Sequence, residues 1–231
     1  KSMKKIIILI IWAVFMASCS NDYLERMPST QVGESQDFFN TASGLEIYSN
    51  SFYNYIEYTS ITEDMSSDNC ENSTSPADIR LANYVLPTAL GSGGWNWTQL
   101  RNINYFIDRC MASIVSDEVK MEYIALAKYF RAQFYYNKIK TFGDVPWYSH
   151  PLGTNEDDQL FKGRDSRILV MDSVLNDLND AVNYLPEKKY RNRISKYAAL
   201  ALKSRICLYE GTWRKYHKEK AYPDAERFLT E

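Results

Sequence analysis

With 231 residues, 24% of them charged and a formal net charge of −2, the chain can bury a sizeable core and carries no basic footprint for nucleic acid. Its compositional oddity is 18 Tyr and 5 Trp, residues that serve cores, interfaces and flat ligand surfaces alike. Composition therefore points to a helical, aromatic-rich protein and supplies no argument for an enzyme.

Lys4 and Lys5 precede the apolar run Ile6 to Ala17, which is shorter than the about 20 apolar residues a membrane-spanning helix needs. Ser18-Cys19-Ser20-Asn21 follows, so residues 1–18 read as a secretory signal peptide and M-A-S-C as a bacterial lipobox. On this reading Met3 is the start and Cys19 is the acylated first residue of a lipid-anchored mature chain. The competing reading is an ordinary signal peptide followed by an incidental cysteine. Residues 19–35, polar and punctuated by Pro28 and Gly33, are the lipidated cysteine and a tether. Residues 36–231 form the helical domain.

Within that domain, Ser43-Gly44-Leu45-Glu46 resembles a capping box opening a helix with Leu45, Tyr48, Phe52 and Ile56 on one face. Thr59 to Gly94 has no sustained helical period, and long loops in compact domains are often functional. Asp68-Asn69-Cys70-Glu71-Asn72 within it lacks the central glycine and final glutamate of a calcium loop, so no metal site is expected. Thr98 to Ile114 places Leu100, Ile103, Ile107, Cys110 and Ile114 on one face.

The longest helical pattern begins at Asp117. Tyr123, Ala127, Phe130 and Phe134 form one stripe; Ala125, Ala132, Tyr135, Ile139 and Phe142 form a second. A helix apolar on two faces is packed between neighbours. Ser116 or Asp117 opens it, Gly143 offers a left-handed end, and Pro146 forbids continuation. Arg131 reads either as a surface cation or, the preferred reading, as a paired structural arginine whose stem packs among aromatics.

Asp144 to Asp165 is an extended crossing. Ile168 to Leu185 is amphipathic, with Asp177 and Asp180 expected on its solvated face and Pro186 as its stop. Ser195 to Tyr209 is expected to turn Ala198, Ala201, Leu202, Arg205, Leu208 and Tyr209 inward, with Gly211 as terminator. Pro223 starts a further helix carrying Phe228 and Leu229. The expected fold is all-α, a tetratricopeptide-like scaffold of helix pairs with long irregular loops, although the repeat consensus itself is absent.

Chemical motifs are missing. With Cys19 assigned to lipid, Cys70, Cys110 and Cys207 leave no C-x-x-C and no disulfide framework; Cys110 and Cys207 fall on apolar helix faces. No phosphate loop, nucleophile elbow or H-E-x-x-H occurs, and nothing in the sequence places a carboxylate pair at a working separation. Neither catalysis nor a cofactor is expected.

The run AKYFRAQFYYNKIKTFGDVPWY, from Ala127 to Tyr148, resembles the signature of SusD/RagB-type lipoproteins. So do the lipobox, Tyr23-Leu24-Glu25-Arg26-Met27-Pro28, Phe38-Phe39-Asn40, and the tail KYAALALKSRICLYEGTW, taken in this order. The resemblance implies a surface lipoprotein that binds glycans or other nutrients and acts as a lid on a SusC-like TonB-dependent outer-membrane transporter. It also implies a longer protein, of which this chain is the N-terminal part. In that setting Trp95, Asn96 and Trp97, just after the Gly91–Gly94 hinge, are candidate ligand residues. A flat indole covers the apolar face of a sugar ring, and an amide both donates to and accepts from hydroxyls. The competing reading of Trp97 is the first core residue of the helix it precedes. Two other functions stay open at this point: a structural helical-repeat adaptor lipoprotein without a small ligand, and a surface glycosidase.

Overall fold

The computed structural model describes residues 36–56, 85–89, 92–187, 192–217 and 225–231. The signal, Cys19, the tether, Cys70 with its loop and most of 59–94 lie outside them. The elements are α1 (Gln36–Phe39), α2 (Ala42–Asn50) running into a 3-10 turn (Ser51–Tyr55), α3 (Thr98–Met111) and α4 (Asp117–Phe142). Then come α5 (Asp157–Leu160), α6 (Arg167–Tyr184), α7 (Lys196–Tyr216) and α8 (Ala225–Thr230). No strand occurs among the described residues; one isolated antiparallel bridge joins Val145 to Asp165.

Central α4 is buried on nearly all sides. Thirteen of its 26 residues are buried, including the unbroken runs Tyr123–Ala127 and Tyr129–Ala132, each longer than or close to a full turn. Helix α3 packs on one side of it and α6 on the other; α7 packs on α6, and α8 on α7. Each long helix thus meets chiefly the next in sequence, which is the helix-pair stacking of the tetratricopeptide kind. Two clusters form the core. Phe39, Phe52, Phe106 and Phe130 meet where α2, α3 and α4 converge. Tyr135, Ile139, Met171, Leu175, Ile206 and Phe228 fill the space between α4, α6, α7 and α8. Cys110 and Cys207 are buried free thiols, and burial pushes them up to about 12 and about 11 respectively.

Several expectations are corrected. Helix α2 opens at Thr41, whose Oγ1 accepts the Gly44 N–H at 3.0 Å, so the cap lies two residues before the proposed box and Ser43 is inside the helix. Helix α3 stops at Met111 and leaves Ile114 82% exposed. Asp177 is not solvated: it is 4% exposed and paired with Arg131, while Asp180 pairs with Lys128 across the α4–α6 contact.

Helix α7 differs most. It continues to Tyr216, and its inward residues are Ala199, Ile206, Cys207, Glu210, Gly211 and Arg214. Ala201, Arg205 and Leu208 face outward, while Ala198, Leu202 and Tyr209 are half-buried. The periodicity misled because the inner face carries charge. Arg167 donates to Glu210 Oε2 through Nε and a terminal nitrogen at 3.0 and 2.6 Å, and Arg214 Nε reaches Glu210 Oε1 at 2.9 Å. Gly211 does not terminate the helix either. A Cβ there would stand 2.7 Å from Leu229 Cδ2, so its role is to let α8 approach.

Candidate functional site

The site grows from a turn. Gly93 and Gly94 adopt φ of 62° and 81°, values side-chain-bearing residues rarely take, and they swing the chain into Trp95-Asn96-Trp97. Asn96 Oδ1 accepts the Thr98 N–H at 2.9 Å and so starts α3. Trp97 is wedged edge-on against Phe134 and Tyr148, with centroids 5.6 and 5.9 Å away. Trp95 meets Trp97 at 5.1 Å and Phe142 at 4.9 Å, both edge-to-face, and the Arg164 guanidinium lies 4.9 Å over its ring. Lys138 reaches from α4 to the Gly94 carbonyl, tying the turn down. Both indoles are half-buried, held at one edge and partly open at another.

Facing them is the crossing after α4, and its conformation follows from one buried charge. Arg131 grips both carboxylate oxygens of Asp177 at 2.7 Å. Its remaining terminal nitrogen donates to Asn104 Oδ1 at 3.0 Å and to the Ser149 carbonyl at 3.1 Å, and the guanidinium lies over Trp147. Asn104 Nδ2 in turn donates to the carbonyls of Tyr148 and His150. Tyr135 Oη accepts the Tyr148 N–H at 2.7 Å and donates to the Pro146 carbonyl. Burial pushes that phenol well above its ordinary range, so it stays protonated as a donor. At the far end Asp165 accepts from the Trp147 N–H and from Lys162 at 2.7 and 2.8 Å. Burial works to raise the Asp165 carboxyl, but these hydrogen bonds outweigh it and the net shift is downward. Arg131 is therefore the paired structural arginine the sequence suggests.

Between the turn and the crossing lies a cleft of about 530 Å³, within the span typical of small-ligand sites. Trp95, Trp97 and Tyr148 supply aromatic surface, Pro146, Pro151 and Leu152 aliphatic surface. Thr98, Arg101, Asn104, His150 and Lys162 supply polar groups. Two of the three residues singled out in the sequence, Trp95 and Trp97, line it; Asn96 is exposed and its amide oxygen is engaged at the start of α3. Sequence reasoning missed Tyr148, Arg101 and Lys162. Tyr148 had a signal, since it closes the run from Ala127 quoted above; Arg101, an ordinary charged residue in a helix, had none. Among the described residues no group of His, Cys, Asp and Glu could hold a metal, and no helix is long and apolar enough to cross a membrane.

A sequential array of helix pairs with an aromatic-walled cleft beside its central helix defines a scaffold class. Comparison with known proteins specifies it further. The SusD-like family model, described as starch-binding and associating with the outer membrane, matches residues 36–218, and the chain belongs to this family. A SusD-like protein of Formosa agariphila is 25% identical over 233 residues, covering 90% of this chain and 44% of that protein. A SusD-like protein of Bacteroides ovatus is 23% identical over 227 residues, covering 90% of this chain and 40% of the relative. The chain thus spans less than half the length of these relatives. In structure it is similar to a SusD-like protein from Bacteroides fragilis, with a TM-score of 0.70 at 23% identity over 81% of this chain and 38% of that one. A SusD-like carbohydrate binding protein from the same species gives a TM-score of 0.64 at 22% identity over 77% and 39%.

Proposed function

We propose that this chain is the glycan-binding part of a cell-surface lipoprotein that works with a SusC-like TonB-dependent transporter in the outer membrane. The observation that carries the reading is the cleft: two indoles fixed at an angle, a tyrosine opposite, and polar groups between them. Carbohydrate rings pair apolar C–H faces with a rim of hydroxyls, and such a surface complements both. The family's description as starch-binding and outer-membrane associated supports it. Binding, not turnover, is the proposed activity. The anchor is proposed at Cys19, with residues 1–18 as the signal, 19–35 as the tether and 36–231 as the N-terminal part of a longer helical domain.

Affinity electrophoresis through gels containing a panel of polysaccharides tests the site. Trp95→Ala should weaken retention by about 1–3 kcal/mol, the usual loss for an aromatic anchor, without changing the circular dichroism. Retention equal to wild type would move the site elsewhere, and release of reducing ends would point to a glycosidase. Cys19→Ala should shift the protein out of the membrane fraction; continued full membrane association would refute the anchor.

A further inference from the structure

We infer that the cleft selects an acidic glycan, one carrying carboxylate or sulfate groups, and that Arg101 determines this preference. The inference rests on the reading of the cleft as a glycan site. Among the described residues lining it are three basic side chains, Arg101, His150 and Lys162, and no Asp or Glu. A neutral pyranose presents hydroxyls that each donate and accept, so a site for it needs acceptors as well as donors. The amide acceptor on this wall is already committed. Asn104 Oδ1 accepts from Arg131, and its amide nitrogen donates to the Tyr148 and His150 carbonyls. The Tyr148 hydroxyl donates to the Gln159 carbonyl at 3.2 Å, which leaves its oxygen and the Thr98 hydroxyl as the neutral side-chain acceptors of the lining.

Two of these three basic side chains are also matched. Lys162 is held by Asp165 at 2.8 Å and His150 by Glu156 at 3.1 Å, both carboxylates lying outside the lining. Arg101 is different. Its guanidinium has no hydrogen bond or ion pair among the described residues, and it stands one helical turn after Trp97, on the same face of α3. An aromatic platform with an adjacent uncommitted fork of donors suits a ring bearing an anionic group. Carboxylate and sulfate oxygens are pure acceptors, and guanidinium binds them in bidentate fashion. With three basic side chains, no carboxylate and few neutral acceptors in its lining, and with Arg101 uncommitted, the wall matches an acidic sugar better than a neutral one.

The test is affinity electrophoresis of the purified protein on matched pairs: polygalacturonate against its carboxyl-reduced form, a sulfated galactan against its desulfated form, with a neutral glucan alongside. Retention by at least one acidic member and about tenfold weaker retention by its neutral counterpart is expected, the loss of one charge-assisted hydrogen bond. Which pair shows the difference separates carboxylate from sulfate. Arg101→Gln should weaken acidic retention about tenfold and flatten its salt dependence, with Arg101→Lys intermediate. Equal retention of both members of every pair, or wild-type behaviour of Arg101→Gln on the acidic gel, overturns the acidic preference; if Trp95→Ala then still loses retention, the glycan site itself stands. Retention by no member overturns both.

Discussion

At the scale of single residues the decisive group is Arg131, whose side chain and that of Asp177 are 6% and 5% exposed. A buried ion pair is weak evidence for stability by itself, because desolvation offsets the Coulombic gain. Here the arginine does more than meet its partner: one terminal nitrogen also satisfies Asn104 Oδ1 and the Ser149 carbonyl. Three variants separate these contributions. Asp177→Ala leaves a guanidinium unmatched in the core and should cost about 3–5 kcal/mol in urea unfolding. Arg131→Met combined with Asp177→Leu removes both charges, so the ion-pair penalty vanishes. It still orphans Asn104 Oδ1 and the Ser149 carbonyl, which should hold the double variant about 1–3 kcal/mol below wild type. A double variant as stable as wild type would show that the arginine serves Asp177 alone and does not position the crossing.

At the scale of elements, α4 was legible and α7 was not, for the same physical reason. The inner faces of α4 are lined mainly by aromatic and aliphatic side chains, so its apolar stripes and its burial coincide around Tyr123, Phe130 and Phe134. On α7 the inner face holds Glu210 and Arg214, whose charges are balanced by Arg167 and Asp172 from α6, a compensation invisible within the helix's own sequence. Leu208, read as inward, then stands 61% exposed. Gly211 misled in parallel, because a glycine near a helix end reads as a stop until a second helix is seen resting on it. Its substitution distinguishes the two roles. Gly211→Ala gains about 1 kcal/mol of helix propensity, but its Cβ would stand 2.7 Å from Leu229 Cγ and Cδ2 and 3.3 Å from the Ala225 carbonyl oxygen. Helix α8 must therefore give slightly, and the melting temperature should fall a little below wild type. Gly211→Leu cannot be absorbed by one side chain and should cost about 1–3 kcal/mol, with earlier protease cleavage between α7 and α8. A melting temperature unchanged in Gly211→Leu would mean that α8 does not rest on this helix.

For the whole molecule, the consequence of sequential stacking is that damage at one end should stay there. The aromatic turn was readable from Gly93-Gly94 and the two tryptophans. The opposing wall was not, because it depends on contacts of Arg131 with Asn104 and Asp177, 27 and 46 residues away. Those contacts lie among α3, α4 and α6, whereas α8 packs on α7. Deleting residues 218–231 uncovers the surface around Ile206 and removes Phe228, whose loss alone should cost about 3–5 kcal/mol if the site does not collapse. One route could carry that loss to the cleft: Arg214 under Phe228 bonds Glu210, Glu210 bonds Arg167, and the Arg167 N–H is tied to Asp144 at the start of the crossing. That chain does not need α8. Arg214 keeps Glu210 and Asp172 without Phe228, and the 2.6 Å bond from Arg167 to Glu210 lies wholly between α6 and α7. The local term should win. In hydrogen exchange of the truncated protein, amides at the C-terminal end of α7 should exchange faster, while those of Asn104, Arg131 and Tyr148 keep their protection. Faster exchange at Tyr148 would show that the array is coupled end to end, and that the cleft is held by the whole stack instead of by the three helices and the crossing around it.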